Sequence, residues 1–163
     1  MADPTTVAAD WIYAIGVGSN LGDRSRLIAQ ARGLIEGDHQ CRVVGASALI
    51  ESIPVGGPGG QGAYLNGVWL VASGLGPHQL LHRLQAVETA LGRTRGVRNA
   101  ARTIDLDLLM RSDGLVVASP VLTVPHPRLH LRPFVLGPLA EVAPDWRHPL
   151  GATIAVLAQR CRG

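Results

Sequence analysis

Apolar positions along this chain recur at two periods, and the switches between them mark out its elements. Trp11 to Val17 (WIYAIGV) is short, apolar and partly β-branched, and it stops at Gly18-Ser19-Asn20, which predicts a strand running into a turn. From Arg24 to Glu36 the apolar residues Leu27, Ile28, Ala31, Leu34 and Ile35 fall at helical spacing, with Asp23 or Ser25 as N-cap and Gly37 as the stop. Cys41 to Ile53 returns to a β pattern and predicts a second strand ending at Pro54, and Tyr64 to Ala72 (YLNGVWLVA) predicts a third. The glycine-rich stretch VGGPGGQG, 55–62, joins them. Pro77 suits the first position of a second helix, whose Leu80, Leu81, Leu84, Val87 and Leu91 keep their spacing until Gly92. In Thr103 to Met110 (TIDLDLLM) carboxylates alternate with leucines before the run turns apolar, which predicts a fourth strand with one functional and one buried face.

The resulting order, β-α-β-β-α-β, is that of the ferredoxin-like α+β plan, an antiparallel sheet with its helices on one face. Beyond it the pattern predicts an extra hairpin (Leu115–Val117 with Val121–Val124), a short helix at Phe134–Val142 and a last helix at Thr153–Arg160. With 163 residues, 47% hydrophobic and 17% charged, the chain is expected to form a single domain over 1–163, with residues 1–10 a disordered extension. Cys41 and Cys161 have neither metal nor disulfide spacing around them and are expected as free thiols in a reducing compartment. No apolar stretch reaches membrane-spanning length and no secretory pattern opens the chain, so a cytoplasmic protein without a membrane partner is expected, and a monomer by default.

All 15 basic residues are arginine, which excludes a lysine Schiff base, a pyridoxal anchor and the P-loop lysine, and leaves phosphate to be held by arginine. Arg93, Arg95, Arg98 and Arg102 fall within ten positions without an intervening acid. Gly16-Val17-Gly18 is no dinucleotide fingerprint, because position 21 is Leu21, and the loop at Gly56–Gly62 lacks the Lys-Ser or Lys-Thr of a Walker A motif.

Asp105 and Asp107, two apart on a strand, project to one face while Leu106 and Leu108 point to the core. Two such carboxylates fit a hard cation, and one or two carboxylates with substrate phosphates is the usual way to hold Mg2+. A half-exposed strand that merely carries two acids is the other reading. The arginine cluster upstream, in a loop whose Gly92 and Gly96 allow movement, suits a nucleoside triphosphate. A solvated or RNA-binding basic loop is its alternative, although six aromatics in all and no RNP-type pattern speak against stacked bases and hence against a nucleic-acid partner. In 123-TVPHPRLHLRPFVL-136 two prolines fix His126 in an extended turn, with Arg132 and Phe134 close behind. Tyr64 and Asn66 share a strand face, an aromatic plate beside an amide, which suits a flat polar heterocycle.

Five segments in order, GSNLGDR (Gly18–Arg24), SIPVG (Ser52–Gly56), YLN (Tyr64–Asn66), RTIDLDLL (Arg102–Leu109) and LTVPHPRLHLRPFVL (Leu122–Leu136), resemble the 6-hydroxymethyl-7,8-dihydropterin pyrophosphokinases of folate biosynthesis. The resemblance implies the ferredoxin-like fold and transfer of pyrophosphate from ATP to the hydroxymethyl oxygen of a reduced pterin, leaving AMP. It implies that Asp105 and Asp107 bind two Mg2+ ions and that Arg93, Arg102 and Asp107 serve catalysis. It also implies a pterin held by Ser52, Val55, Tyr64, Asn66 and Phe134. Gln85, Glu88, Arg95, Arg98, Leu108, Thr123, His126 and Arg132 match positions that surround ATP.

The chain departs from the family in 98-RNAAR-102, where many members carry Arg-Trp-Gly-Pro-Arg, and in a loop before it that is one residue shorter. Ser52 stands where threonine is frequent, and Gly57 looks like an insertion. Two other functions remain open on the residues alone: a non-catalytic ferredoxin-like domain binding RNA through the arginine loop, and another metal-dependent phosphotransferase with a different acceptor.

Overall fold

The computed structural model describes residues 10–53, 62–92 and 103–162. The elements follow as β1 (Trp11–Ser19), α1 (Arg24–Glu36), β2 (Cys41–Ala46), β3 (Ile50–Ser52), β4 (Tyr64–Ser73), α2 (Pro77–Ala90) and β5 (Asp105–Arg111). The sheet runs β2-β4-β1-β5 with every pair antiparallel, and β3 pairs with β4 off that path, which is the ferredoxin-like arrangement the sequence predicts.

Both core helices start and stop on the residues that local chemistry selects. The Asp23 carboxylate accepts from the Arg26 N–H at 3.2 Å and caps α1. At α2, Pro77 opens the helix, the Gln79 side-chain oxygen accepts from the Gly76 N–H at 3.0 Å, and Gly92 follows its end with a φ of +86°.

The predicted second strand is broken, which corrects its span of Cys41 to Ile53. At Ser47 the backbone N–H donates to the Val68 carbonyl at 2.9 Å while the side-chain hydroxyl accepts from the Val68 N–H at 2.9 Å, so the hydroxyl takes the acceptor's place in the ladder. The chain bends over Gly67, where an added Cβ would lie 2.7 Å from Leu49 Cδ2, and resumes as β3.

One face of the sheet, carrying Tyr13, Ile15, Val17, Trp69, Val71, Leu106 and Leu108, packs on α1 and α2 through Ile28, Ala31, Ile35, Leu80 and Leu84. The C-terminal helices α3 (Pro133–Val142) and α4 (Ile154–Arg162) cover the opposite face, against Ala14, Val68, Leu109 and Met110. A register shift between Ala14 and Ile15 leaves Leu109 as the extra residue of a β-bulge, so that Leu109 and Met110 both enter this second core. Burial on two faces explains why β1 and β4 read as apolar runs, and each large side chain so buried contributes roughly 1.5–3 kcal/mol. The predicted hairpin is present as β6 (Val117–Ala118) and β7 (Thr123–Val124), followed by a 3-10 turn at Leu129–Leu131. No described helix is long and apolar enough to cross a membrane.

Candidate active site

On the second face of the sheet, Gly16, Gly18 and Asn66 line a cleft of about 230 Å³. Gly18 pairs with Asn66 across the strands, and a Cβ at Gly18 would stand 3.0 Å from Asn66 Oδ1 and 3.4 Å from Tyr64 Cδ1. The missing side chain therefore lets both groups lie close over the floor. Ser52 of β3 joins them: the Asn66 amide donates to the Ser52 hydroxyl at 2.6 Å, fixing the amide's orientation.

The facing wall is β5. Asp105 and Asp107 lie opposite Gly18 and Gly16 in register and both line the cleft, while Leu106 and Leu108 are buried on the other side. Period-two alternation thus delivers two carboxylates, side by side, to the same space. Glu88 of α2, 3% exposed, accepts from the Leu106 N–H at 2.9 Å and ties the strand to that helix between the two aspartates.

The segment between β7 and α3 closes the rim with His126, Arg132 and Phe134. The His126 N–H donates to the Leu109 carbonyl at 2.7 Å, which docks the segment on β5. His126 Nδ1 accepts from the Arg128 N–H at 3.2 Å, so the neutral ring carries its proton on Nε2. Burial first, then the charges of Arg132 and Arg128, hold this imidazole down to about 4 against the opposing pull of Asp105, and it is neutral at pH 7. The Arg132 guanidinium sits 5.7 Å from the centre of the Phe134 ring, a cation–π distance.

Among the described residues no cluster of three or more His, Cys, Asp or Glu gathers in a form that would hold a metal. The cleft offers instead two carboxylates in an oxygen-rich wall, a donor set that suits a hard divalent ion whose remaining ligands come from phosphates and water.

These features match a known group of enzymes. A family model described as 7,8-dihydro-6-hydroxymethylpterin-pyrophosphokinase (HPPK) covers residues 14–144. The chain belongs to this family. Its similarity to the HPPK named 2-amino-4-hydroxy-6-hydroxymethyldihydropteridine pyrophosphokinase in Pseudomonas aeruginosa is 40% identity over 147 residues, covering 90% of each chain. The Bacillus subtilis protein of the same name is 40% identical over 131 residues, 80% of this chain and 77% of that one. Among solved structures, the Plasmodium falciparum HPPK-DHPS chain crystallised with pteroate superposes with a TM-score of 0.70 at 13% identity over 93% of this chain, which shows the shared fold. The present chain spans 42% of that longer one.

Of the residues that the HPPK resemblance singles out, Ser52, Tyr64, Asn66, Asp105, Asp107, His126, Arg132 and Phe134 line the one cleft. Gln85 and Glu88 sit on α2, half-buried and buried, and Thr123 is exposed on β7; none of the three lines it. The Leu108 side chain belongs to the core between sheet and helices, leaving only its backbone for contact with a ligand. Arg93, Arg95, Arg98, Arg102 and Val55 lie outside the described residues. Gly16, Val17, Gly18, Ile53, Gly67 and Val135 also line the cleft, residues to which the sequence assigns no site role. The glycines did show a signal, two Gly at alternate positions of a strand, and it marks a face that something must approach closely.

Proposed function

We propose that this cleft transfers the terminal pyrophosphoryl unit of ATP to 6-hydroxymethyl-7,8-dihydropterin, a step of folate biosynthesis. The observation that carries the proposal is that Asp105 and Asp107 share one small cleft with Tyr64, Asn66 and Phe134, so a polyphosphate site and a site for a flat polar ring adjoin. The pterin lies between Tyr64 and Phe134, with Asn66, Ser52 and the backbone near Val55 reading its edge. The Ser52–Asn66 bond presets the amide for that task.

Asp105 and Asp107 would hold two Mg2+ ions, which when bound supply positive charge against the triphosphate. His126, neutral and with its proton on Nε2, offers a hydrogen bond to nucleotide without adding charge. Arg132, and by resemblance Arg95 and Arg98, face the phosphates, while Arg93 and Arg102 stabilise charge on the group in transfer. Gln85, Glu88, Leu108 and Thr123 complete the surroundings of ATP on the same resemblance. In the reaction the hydroxymethyl oxygen bonds to the β-phosphorus, the bond from that phosphorus to the α,β-bridging oxygen breaks, AMP departs with that oxygen, and the hydroxyl proton passes to solvent. Holding acceptor and β-phosphorus in line accounts for most of the work, so no covalent intermediate is needed.

The test is product analysis. ATP, Mg2+ and the hydroxymethyl dihydropterin together should give equal amounts of AMP and pterin diphosphate, and omission of any one should give neither. Formation of ADP, or of AMP without acceptor, would overturn the proposal.

A further inference from the structure

We infer that Arg24, which does not line the cleft, is a positioning residue for the pterin subsite, acting through the two arms of the β3–β4 hairpin; the inference rests on the function proposed above. β3 is three residues long and, among the described residues, pairs with β4 alone, Ile50 with Asn66, Glu51 with Leu65 and Ser52 with Tyr64. The last of these pairs, nearest the connection, is the one that enters the cleft beside Asn66. β4 is held within the sheet, but β3 is joined to it by only these three pairings, so bonds from outside the ladder bear on how its arm sits.

Arg24, the first residue of α1, supplies the fixture. Its Nη1 donates to the Ala63 carbonyl at 2.9 Å and its Nη2 to Glu51 Oε1 at 2.7 Å. Ala63 directly precedes Tyr64 and Glu51 directly precedes Ser52, so one rigid guanidinium holds each arm one residue from its cleft-lining side chain. Asn20 reinforces the second arm, its amide donating to the Gly62 carbonyl at 3.3 Å. The ion pair is open to water, with the side chains 31% and 61% exposed, and pairs of that kind add little to overall stability. What Arg24 adds is a further tie between the arms that carry Ser52 and Tyr64, beside their ladder pairing and the Ser52–Asn66 bond. A lysine, with one ammonium in place of a planar fork, cannot bond both arms in the same way.

The experiment measures KM for pterin and for ATP, equilibrium binding of pterin in the presence of Mg2+ and a non-hydrolysable ATP analogue, and Tm, in wild type, Arg24→Ala and Arg24→Lys. Misplacement of binding groups by a fraction of an ångström is expected to raise the pterin KM and Kd of Arg24→Ala by about tenfold. KM for ATP should stay within about twofold and Tm within about 2 °C, as for a substitution outside the core. Arg24→Lys should recover part of the loss. Pterin binding unchanged in Arg24→Ala overturns the inference, as does a parallel rise in both KM values with a lowered Tm, the mark of general loosening. Failure of the wild type to bind pterin at all defeats the function proposed for the cleft, and is thereby distinguishable.

Discussion

The Glu88 carboxylate accepts a hydrogen bond of 2.9 Å from the backbone N–H of Leu106, the residue between Asp105 and Asp107. Among the described residues β5 is an edge strand, paired with β1 alone, and Glu88 on α2 braces it at that point. Removing the acceptor leaves a buried N–H without this partner, at a cost of about 1–3 kcal/mol. Glu88→Ala should lose that amount in urea denaturation and Glu88→Gln, which keeps an acceptor oxygen, clearly less. Equal stability of the two variants would show that the bond does not matter.

Asp105 and Asp107 are half-buried and face the cleft rather than the core. Asp105→Asn and Asp107→Asn should each lower AMP formation by at least about 10²-fold, the scale on which preorganised charge in a site acts. Thermal unfolding should shift by no more than a few degrees. A rate within tenfold of wild type in either variant would remove that residue from the chemistry.

Gly18→Ala tests the floor. The new methyl would meet Asn66 Oδ1 at 3.0 Å, so the amide that Ser52 orients must yield by a few tenths of an ångström. The expected outcome is a folded enzyme whose pterin KM rises several-fold while its KM for ATP holds. Steady-state kinetics with each substrate varied in turn decides it, and an unchanged pterin KM would mean that Asn66 does not read the ring.

Acid should weaken the fold by way of two histidines. Burial, with Arg132 and Arg128, holds His126 down to about 4, and burial with His130 pushes His148 in the same direction. Unfolded, both titrate near ~6.5, so between the folded and unfolded values the unfolded chain binds more protons. Their contribution is thus complete above the unfolded value and is lost progressively as pH falls below it. Urea midpoints at pH 7.5 and pH 5.5 should show the decline, and His148→Asn should show a smaller one; identical slopes for the two proteins would exclude His148.

The core helices were legible because their signals are local: Asp23 as cap, Pro77 as first residue and Gly92 as stop act within one turn. The aspartate pair was legible because strand period alone sets its face. The break at Ser47 was not, since a hydroxyl replaces a ladder acceptor only once Val68 lies beside it. Nor could periodicity assign α3 and α4 to the second face, because an amphipathic pattern states that a helix is covered but not by what. Gly16 and Gly18 resemble a failed nucleotide loop, and the use of Gly18 as a floor emerges only with Asn66 and Tyr64 laid across it. Arg24 closes the GSNLGDR segment, but nothing local states what it bonds, its partners being 27 and 39 residues away.

The most direct test of the central claim is anomalous diffraction from crystals grown with Mn2+, a non-hydrolysable ATP analogue and the pterin. Two manganese peaks bridging the Asp105 and Asp107 carboxylates to the phosphates, beside a ring stacked between Tyr64 and Phe134, are the predicted result. Nucleotide bound elsewhere, or those carboxylates without an ion between them and the phosphates, would contradict it.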